Sequence, residues 1–406
     1  MSKHYFQLAT AFLFGSLLTA CTTFGPQQAE GPTINMESGE SFWLDQVAYP
    51  YPVNFHSGTD DLGRRWQVAV MDEYHGEDIS RAETLVLIHG RGANAGYFSQ
   101  VMKKFLQSDL RVIAVDLPGY GKSLPHNLGK PVNRSLDSTR QVVHDVLTEI
   151  GVEKAYFLGH SMGGQWVIGY SLQYPEAVAG IILESSYGLE EFPNAIRRNN
   201  GDLLAIFDPA LAEDYQRWQQ TWSQLKVHQT ERSLTPEQIR ANYYFAQMDN
   251  GKMVSSDVGY FTRQSKDAHF LTQARISMIE QSPREFNRYI NTYIWDGYAL
   301  ATEVLKEDPY SLFKQLSQIS APVFMVFGEQ DPYLPVRWNK EPVQLISDIV
   351  QPSYLQLEVA GNPPLVSVYP LAGHVPHADQ ASKLARDVIA FIDEGKIFSN
   401  QVKLPF

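Results

Sequence analysis

The sequence predicts an α/β protein in which a mostly parallel, twisted sheet is flanked by helices and interrupted by a large helical insertion. Short runs of β-branched and apolar residues recur along the chain, which is the pattern of strands buried on both faces. Helical patterns lie between these runs, and such alternation is typical of a parallel sheet. The alternation stops over residues 187–315 and resumes afterwards.

The predicted strands fall into two groups, one on each side of the insertion. The first group comprises RWQVAVMD (65–72), TLVLIHG (84–90), RVIAVDLPG (111–119), AYFLGHS (155–161) and AGIILESS (179–186). The second comprises APVFMVFGEQD (321–331) and PLVSVYPLAGH (364–374). Helical patterns run from Leu136 to Ile150 and from Gln165 to Tyr174. We therefore predict a core in two parts, residues 61–186 and 316–398.

The insertion over residues 187–315 is polar, charged and rich in aromatic residues, and it contains no run comparable to the strands. We predict that it forms a helical cap on the sheet. Its aromatic residues include Trp218, Trp222, Tyr243, Tyr244, Phe245, Tyr289, Tyr293 and Trp295. Aromatic side chains suit an apolar cleft, although at helical spacing they more often form the core of the cap itself.

Composition excludes several classes of function. The chain has 406 residues, of which 44% are hydrophobic, so it can bury a sizeable core and is not disordered as a whole. Its formal net charge of −12 argues against nucleic-acid binding, which needs a cationic face. The single cysteine forms neither an internal disulfide nor a cysteine-rich metal site. We therefore predict no nucleic-acid partner and no metal.

The N-terminal residues have the pattern of an export signal. A short basic start precedes an apolar run from Phe6 to Leu18. This run is shorter than the ~20 residues that a spanning helix needs. The sequence Leu18-Thr19-Ala20-Cys21 resembles the lipobox of bacterial lipoproteins, in which the cysteine is acylated and becomes the mature N-terminus. The resemblance implies a signal peptide over residues 1–20 and a lipidated N-terminus with a tether over residues 21–60.

The same resemblance implies a location and a partner. Acyl chains such as palmitate on Cys21 would anchor the protein in a lipid bilayer of the bacterial cell envelope. The residue after the cysteine is Thr22, whereas the retention signal for the inner membrane is usually aspartate. The outer membrane is therefore favoured if the host is Gram-negative.

The strongest chemical motif is LGHSMGG (158–164), which matches G-x-S-x-G at a junction between a predicted strand and a predicted helix. In that motif the serine adopts a strained backbone that projects its hydroxyl out of the turn, and glycines avoid collisions on either side. The following helix directs N–H groups towards developing negative charge. The predicted nucleophile elbow consists of Gly159, His160, Ser161, Met162 and Gly163.

A serine hydroxyl is a weak nucleophile unless a base accepts its proton. His374 follows the last predicted strand in LAGHVPH and is the candidate base. Asp331 follows the preceding strand in VFGEQD and is the candidate acid. His377 is an alternative base, and Glu329 and Glu184 are alternative acids.

The order Ser161, Asp331, His374 resembles the catalytic triad of the α/β-hydrolase family. Five motifs carry this resemblance in the family's order: IHGRG, DLPGYGKS, GHSMGG, FGEQD and AGHVPH. They cover residues 65–186 and 316–395 and imply the α/β-hydrolase fold. The family's position directly after Ala-Gly favours His374 over His377, and its G-x-x-D spacing favours the aspartate over the glutamates.

The resemblance also implies a role for each residue. Ser161 would attack a carbonyl carbon, His374 would accept and return the proton, and Asp331 would orient and stabilise the imidazolium. The backbone N–H groups of Arg91 and Met162 would bind the oxyanion. Such a triad requires neither a metal nor an organic cofactor.

The loop GRGANA (90–95) also fits a loose dinucleotide-binding fingerprint, with Asp116 at the end of the next strand. His89 before the loop, together with the nucleophile elbow, favours an oxyanion loop instead. The spacing His374-x-x-His377 suggests a metal pair only weakly, because no further ligand has a clear spacing.

The two resemblances imply a lipid-anchored serine hydrolase that works through an acyl-enzyme, and by analogy with the most common activity of the family we predict that it cleaves a carboxylic ester. The class implied is carboxylesterase-like, EC 3.1.1, with a small-molecule ester or acyl substrate. An aminopeptidase, a C–C bond hydrolase and an acyltransferase use similar triads, so these alternatives stay open. A non-catalytic envelope protein that kept the fold for binding is a further alternative.

Overall fold

The computed structural model describes six continuous ranges, residues 41–60, 63–123, 134–190, 265–304, 311–331 and 344–404. It also describes the short paired strands 33–34, 196–197, 203–204, 247–249, 252–254, 337–338 and 341–342. The predicted signal peptide and Cys21 lie outside the described residues. The same holds for five of the aromatic residues of the predicted cap: Trp218, Trp222, Tyr243, Tyr244 and Phe245.

An eight-stranded sheet forms the centre of the structure. Its strands are β1 (Asn54–Thr59), β2 (Arg65–Glu73), β3 (Glu83–Ile88), β4 (Leu110–Asp116), β5 (Ala155–His160), β6 (Val178–Glu184), β7 (Val323–Gly328) and β8 (Leu365–Tyr369). Their order in the sheet is β8-β7-β6-β5-β3-β4-β2-β1. Six neighbouring strands, β8, β7, β6, β5, β3 and β4, pair in parallel. Strand β2 pairs antiparallel with both β1 and β4. The predicted mostly parallel sheet is therefore confirmed.

Helices flank this sheet. They are α1 (Ser99–Phe105), α2 (Leu136–Glu149), α3 (Met162–Gln173), α4 (Lys266–Gln281), α5 (Pro283–Val304), α6 (Leu312–Gln315), α7 (Gln351–Val359), α8 (Pro376–Asp379) and α9 (Ala381–Glu394). Helix α2 begins after Ser135, whose side chain accepts a hydrogen bond from the N–H of Ser138. Helix α9 ends at Gly395, which adopts a left-handed conformation. No helix within the described ranges combines the length and apolar character needed to cross a bilayer.

The apolar strand sequences reflect burial on both faces of the sheet. Every residue of β7 is buried, as is every residue of β3 after Glu83. Covering helices remove both faces from water, so neither strand needs alternating polar residues.

The predicted tether over residues 21–60 is wrong for its second half, because residues 41–60 pack on the domain. Phe42 and Trp43 are buried at 1% and 3% exposure. Strand β1 extends the sheet at its edge beside β2. The sequence around Phe42 and Trp43 did not predict this packing, because the residues that they contact lie far away in the sequence.

Polar contacts also hold this N-terminal segment. The Ser41 hydroxyl donates to Glu285 Oε1 at 2.6 Å, and the Phe42 N–H donates to Glu285 Oε2 at 2.7 Å. From the core, the buried Lys122 ammonium donates to the Trp43 carbonyl at 2.6 Å. The segment therefore joins the α5 helix of the insertion to the sheet.

The insertion is helical over residues 265–304, where α4 and α5 follow each other with only Ser282 between them. Two short antiparallel strand pairs also occur within it, Ile196–Arg197 with Leu203–Leu204 and Gln247–Asp249 with Lys252–Val254. The described part of the insertion is thus mainly, but not entirely, helical.

Replacing Trp43 tests whether the N-terminal segment stabilises the domain. Trp43→Ala should lower the free energy of unfolding by about 3–5 kcal/mol, because it removes a large buried aromatic side chain. Phe55 on β1 is 45% exposed, so Phe55→Ala is the matched control and should change stability by about 0.5 kcal/mol or less. Urea denaturation measures both. Equal small effects would contradict the role of the segment.

Candidate active site

Ser161 occupies the sharp turn between β5 and α3. Its φ of 55° and ψ of −118° lie in a region that residues with a Cβ rarely adopt. The Ser161 N–H donates to the Glu184 carbonyl at 2.9 Å. The Ser161 carbonyl accepts from the N–H groups of Gly164 at 2.9 Å and Tyr187 at 3.2 Å. These bonds over-determine the strained conformation and hold it in place.

The glycines on either side of Ser161 allow the close approach that the turn requires. A Cβ on Gly159 would lie 2.3 Å from the Gly163 carbonyl oxygen. A Cβ on Gly163 would lie 2.3 Å from the carbonyl oxygen of Ile88, at the end of β3. The first turn of α3 therefore packs directly on two strands, and no larger residue fits at either glycine.

The structure brings the predicted nucleophile, base and acid together. His374 Nε2 lies 2.9 Å from Ser161 Oγ, and His374 Nδ1 lies 2.9 Å from Asp331 Oδ2. All three residues are at least 95% buried. A carboxylate oxygen only accepts, so Nδ1 carries the ring proton and Nε2 is left to accept from the serine. This arrangement can withdraw the hydroxyl proton as Oγ attacks an electrophile.

The alternative residues for these roles lie elsewhere. His377 pairs with Glu184, since its Nδ1 lies 2.8 Å from Oε2 and its backbone N–H donates to Oε1 at 2.5 Å. Glu329 is exposed. His374 therefore meets Asp331 and neither of the two glutamates. Within the described parts of the chain, no group of three or more His, Cys, Asp and Glu side chains is arranged to hold a metal ion.

His89 fixes the start of the predicted oxyanion loop. Its Nε2 accepts from the Leu117 N–H at 3.0 Å, so Nδ1 carries the proton and donates to the Gly90 carbonyl at 2.8 Å. Burial lowers the pKa of His89 to about 4. The ring is therefore neutral at physiological pH and serves as a bridge between the ends of β3 and β4.

The predicted oxyanion donors flank the serine. Met162 directly follows Ser161 as the first residue of α3, and Arg91 directly follows Gly90. A Cβ on Gly90 would lie 3.2 Å from the Cβ of Ser161. The loop that carries Arg91 therefore passes immediately beside Ser161, which is the position that the predicted oxyanion loop requires.

Asp116 has a structural environment that does not match the dinucleotide alternative. Its carboxylate accepts from the N–H groups of Ala95 at 2.6 Å and Lys122 at 2.7 Å, and from the Tyr49 hydroxyl at 2.7 Å. Burial raises its pKa to about 6, against the effect of these hydrogen bonds. Asp116 thus joins loops inside the protein, where its side chain is fully buried.

Two tyrosines of the α5 helix contact the oxyanion loop, one turn apart. The Tyr289 hydroxyl donates to the Gly92 carbonyl at 3.2 Å. Arg91 Nη2 donates to the Tyr293 hydroxyl at 3.0 Å, and the guanidinium lies 4.1 Å from the ring centroid of Tyr293. The sequence marked both tyrosines only as aromatic residues of the cap; no local signal indicated that they reach this loop.

Tyr97 is a residue of the site that the sequence analysis did not select. It lies in the short helical turn Ala95–Phe98 before α1, and its hydroxyl contacts the Gly90 N–H and the ring of His160. The only sequence signal was its place seven residues after the glycine that opens the loop, which is not informative without the fold.

Comparisons with known proteins by family model, by sequence and by structure all find hydrolases. The family model of the alpha/beta hydrolase fold matches residues 83–376. A 2-hydroxy-6-oxo-6-phenylhexa-2,4-dienoate hydrolase from Burkholderia cepacia is 22% identical over 322 residues, which is 78% of this chain and 91% of that protein. A probable hydrolytic enzyme from Pseudomonas aeruginosa has a TM-score of 0.57 at 20% identity, over 84% of this chain and 94% of that one.

A more similar but shorter match involves a 2-hydroxy-6-oxononadienedioate/2-hydroxy-6-oxononatrienedioate hydrolase from Paraburkholderia phymatum. The identity is 38% over 104 residues, which is 25% of this chain. The matched region spans 35% of that relative, about a third of its length.

Asp267 on α4 is a buried carboxyl group close to this site. It accepts hydrogen bonds from the Ser99 hydroxyl and, at 3.4 Å, from the Gln100 N–H. Burial raises the pKa of Asp267 to about 7, while the Ser99 hydrogen bond and the nearby His377 act in the opposite direction. The folded protein therefore holds this carboxyl group protonated where an unfolded chain would release the proton.

Replacing Asp267 tests this difference. Between pH 4 and pH 7 the Asp267 carboxyl of the folded state binds a proton that the unfolded state lacks, so the contribution of Asp267 to stability should fall as the pH rises and level off above pH 7. An asparagine side chain cannot ionise, so Asp267→Asn should lose this contribution to the pH dependence of the free energy of unfolding. The contribution amounts to about 1.4 kcal/mol for each unit by which the pKa of Asp267 differs between the folded and unfolded states. Urea denaturation of both proteins from pH 4 to pH 8 measures it. A stability difference that stays constant over this range would contradict the assignment.

Proposed function

The chain belongs to the α/β-hydrolase fold family, and we propose that it is a serine hydrolase with Ser161 as nucleophile, His374 as general base and Asp331 as orienting acid. The observation that carries this proposal is the buried line of hydrogen bonds from Ser161 Oγ through His374 to Asp331, with both distances at 2.9 Å. A base at this distance can take the proton while the oxygen attacks.

The reaction begins when Ser161 Oγ attacks the substrate carbonyl carbon and its proton passes to His374 Nε2. Asp331 stabilises the imidazolium that results. The backbone N–H groups of Arg91 and Met162 bind the oxyanion of the tetrahedral intermediate. The intermediate then expels the leaving group, which takes the proton from His374, and water repeats both steps on the acyl-enzyme.

For the substrate we propose a small carboxylic ester. An alkoxide leaving group needs only the one proton that His374 carries, so the triad is sufficient for the whole cycle. A second candidate is hydrolysis of a C–C bond, because the Burkholderia cepacia relative, matched over 91% of its length, is named as a dienoate hydrolase. That reaction also needs a substrate whose leaving carbon can bear the electron pair.

Replacing the serine tests the mechanism and the substrate together. Ser161→Ala should lower turnover of p-nitrophenyl esters by about 10⁶-fold and abolish labelling by a fluorophosphonate probe, because the nucleophile is lost. Ser171→Ala is a matched control, since Ser171 is also buried on α3 but donates only to the Ile168 carbonyl at 2.8 Å. It should keep full activity.

The assay should offer esters of several chain lengths and a 2-hydroxy-6-oxodienoate to the same proteins. Esterase activity that survives in Ser161→Ala would refute the mechanism. Wild-type turnover of the dienoate without any ester hydrolysis would replace the ester proposal with the C–C candidate.

We further propose that the enzyme is anchored to the bacterial envelope through acyl chains on Cys21, with the outer membrane favoured in a Gram-negative host. The lipobox supports this proposal. Several acyl chains, each contributing ~0.8 kcal/mol per buried CH₂, bind a bilayer far more firmly than one. Thr33 pairs with Ala48 on the domain, so residues 22–32 would allow a separation of at most ~40 Å from the membrane.

Replacing the cysteine should separate location from activity. Cys21→Ser in the full chain should move the protein from the membrane fraction to the soluble fraction and abolish incorporation of labelled palmitate, with ester hydrolysis unchanged. Thr22→Ser is the matched control and should stay with the membrane. Membrane association that persists in Cys21→Ser would exclude the acyl anchor.

A further inference from the structure

A line of three hydrogen bonds passes through His160, the residue before Ser161. The Gly90 N–H donates to the Tyr97 hydroxyl oxygen at 2.9 Å. The same oxygen lies 2.8 Å from His160 Nδ1, and His160 Nε2 lies 2.7 Å from the backbone carbonyl oxygen of His374. Tyr97, His160 and His374 are each at least 97% buried, so water does not compete for these groups.

Chemistry fixes the direction of every bond in this line. The His374 carbonyl only accepts, so His160 Nε2 carries a hydrogen. Burial, together with repulsion from His374 and His377, holds the pKa of His160 well below its usual range. The ring is therefore neutral, and Nδ1 is an acceptor. It follows that the Tyr97 hydroxyl donates to Nδ1, while its oxygen accepts from the Gly90 N–H.

The two ends of the line lie at two parts of the proposed active site, the oxyanion loop and the base. Gly90 precedes Arg91, which is assigned an oxyanion donor, and His374 is assigned the role of base. His160, at the centre of the line, directly precedes Ser161 in the sequence. One neutral imidazole thus connects the backbones that carry the nucleophile, the base and the oxyanion loop.

From this geometry we propose that Tyr97 and His160 are positioning residues, which hold the base and the oxyanion loop in register with the nucleophile through a single directed hydrogen-bond chain. The inference rests on the proposed function, because it explains how that triad is kept aligned. Tyr97 acts through the Gly90 N–H, and His160 acts through the His374 carbonyl.

The packing around Tyr97 allows its hydroxyl to be removed alone. Its ring centroid lies 4.5 Å from that of His377 and 4.4 Å from that of Phe98, and a phenylalanine ring keeps these contacts. Tyr97→Phe leaves the Gly90 N–H and His160 Nδ1 without a partner, which breaks the connection between the oxyanion loop and His160, although Nε2 can still donate to the His374 carbonyl.

The kinetic test compares Tyr97→Phe with a matched control. Tyr97→Phe should lower kcat for the ester by about 10- to 100-fold and leave KM within about twofold, because alignment matters most in the transition state. The control is Tyr170→Phe, on the last turn of α3, which removes a hydroxyl 2.9 Å from Nδ1 of His144 on α2. It should leave kcat within about twofold. An unchanged kcat in Tyr97→Phe would overturn the proposal.

Variants of His160 test whether the chain acts as a unit. Glutamine offers both an amide donor and a carbonyl acceptor, so His160→Gln can rebuild the line and should keep most of kcat. His160→Leu removes both bonds and should match Tyr97→Phe, and the double variant Tyr97→Phe/His160→Leu should fall no further. If the kcat losses of the two single variants multiplied in the double variant, the two residues would act independently and the proposal of a single hydrogen-bond line would be wrong.

The tautomer of His160 gives a readout that does not depend on activity. Long-range ¹H–¹⁵N NMR of the wild type should show His160 neutral with its proton on Nε2, the signal being assigned by its absence in His160→Gln. Tyr97→Phe should shift the Nδ1 resonance because its donor is gone. A proton on Nδ1 or a charged ring in the wild type would refute the chain, whereas activity that survives in Ser161→Ala would refute the proposed function instead.

Discussion

The strained backbone of Ser161 is the constraint on which the rest of the site depends. A φ of 55° at a residue with a side chain costs about 1–3 kcal/mol and persists only when its surroundings over-determine it. Here the surroundings are backbone groups: the Glu184 carbonyl, the N–H groups of Gly164 and Tyr187, and the close contact of Gly163 with Ile88. The elbow therefore exists only where α3 meets β3, β5 and β6.

Burial gives the histidines around this elbow a common role. His89 and His160 both have lowered pKa values because they are buried, so each is a neutral ring with one donor and one acceptor nitrogen. His89 bridges two backbone groups, the Gly90 carbonyl and the Leu117 N–H, whereas His160 links the His374 carbonyl to the Tyr97 hydroxyl. In the described part of the chain the site is consequently a set of backbone positions held in place by buried side chains, and the proposed chemistry is assigned to the side chains of Ser161, His374 and Asp331.

The insertion and the N-terminal segment are coupled to this set of positions. Helix α5 contacts the oxyanion loop through Tyr289 and Tyr293, and it also carries Glu285, which accepts two hydrogen bonds from the N-terminal segment. That segment is held in turn by Lys122, which lies in the loop after β4. The N-terminal segment from residue 41 onwards is therefore linked through α5 and Lys122 to the elements that shape the site.

The sequence by itself determined the parallel strands, the helices that follow them and the elbow at Ser161, because burial on both faces and glycine spacing are local patterns. Only the tertiary structure decided that His374 meets Asp331 and not Glu184, and that residues 41–60 belong to the domain. The same is true of the chain through Tyr97. These contacts join residues that lie tens to hundreds of positions apart, where no periodicity in the sequence records which partners the fold brings together.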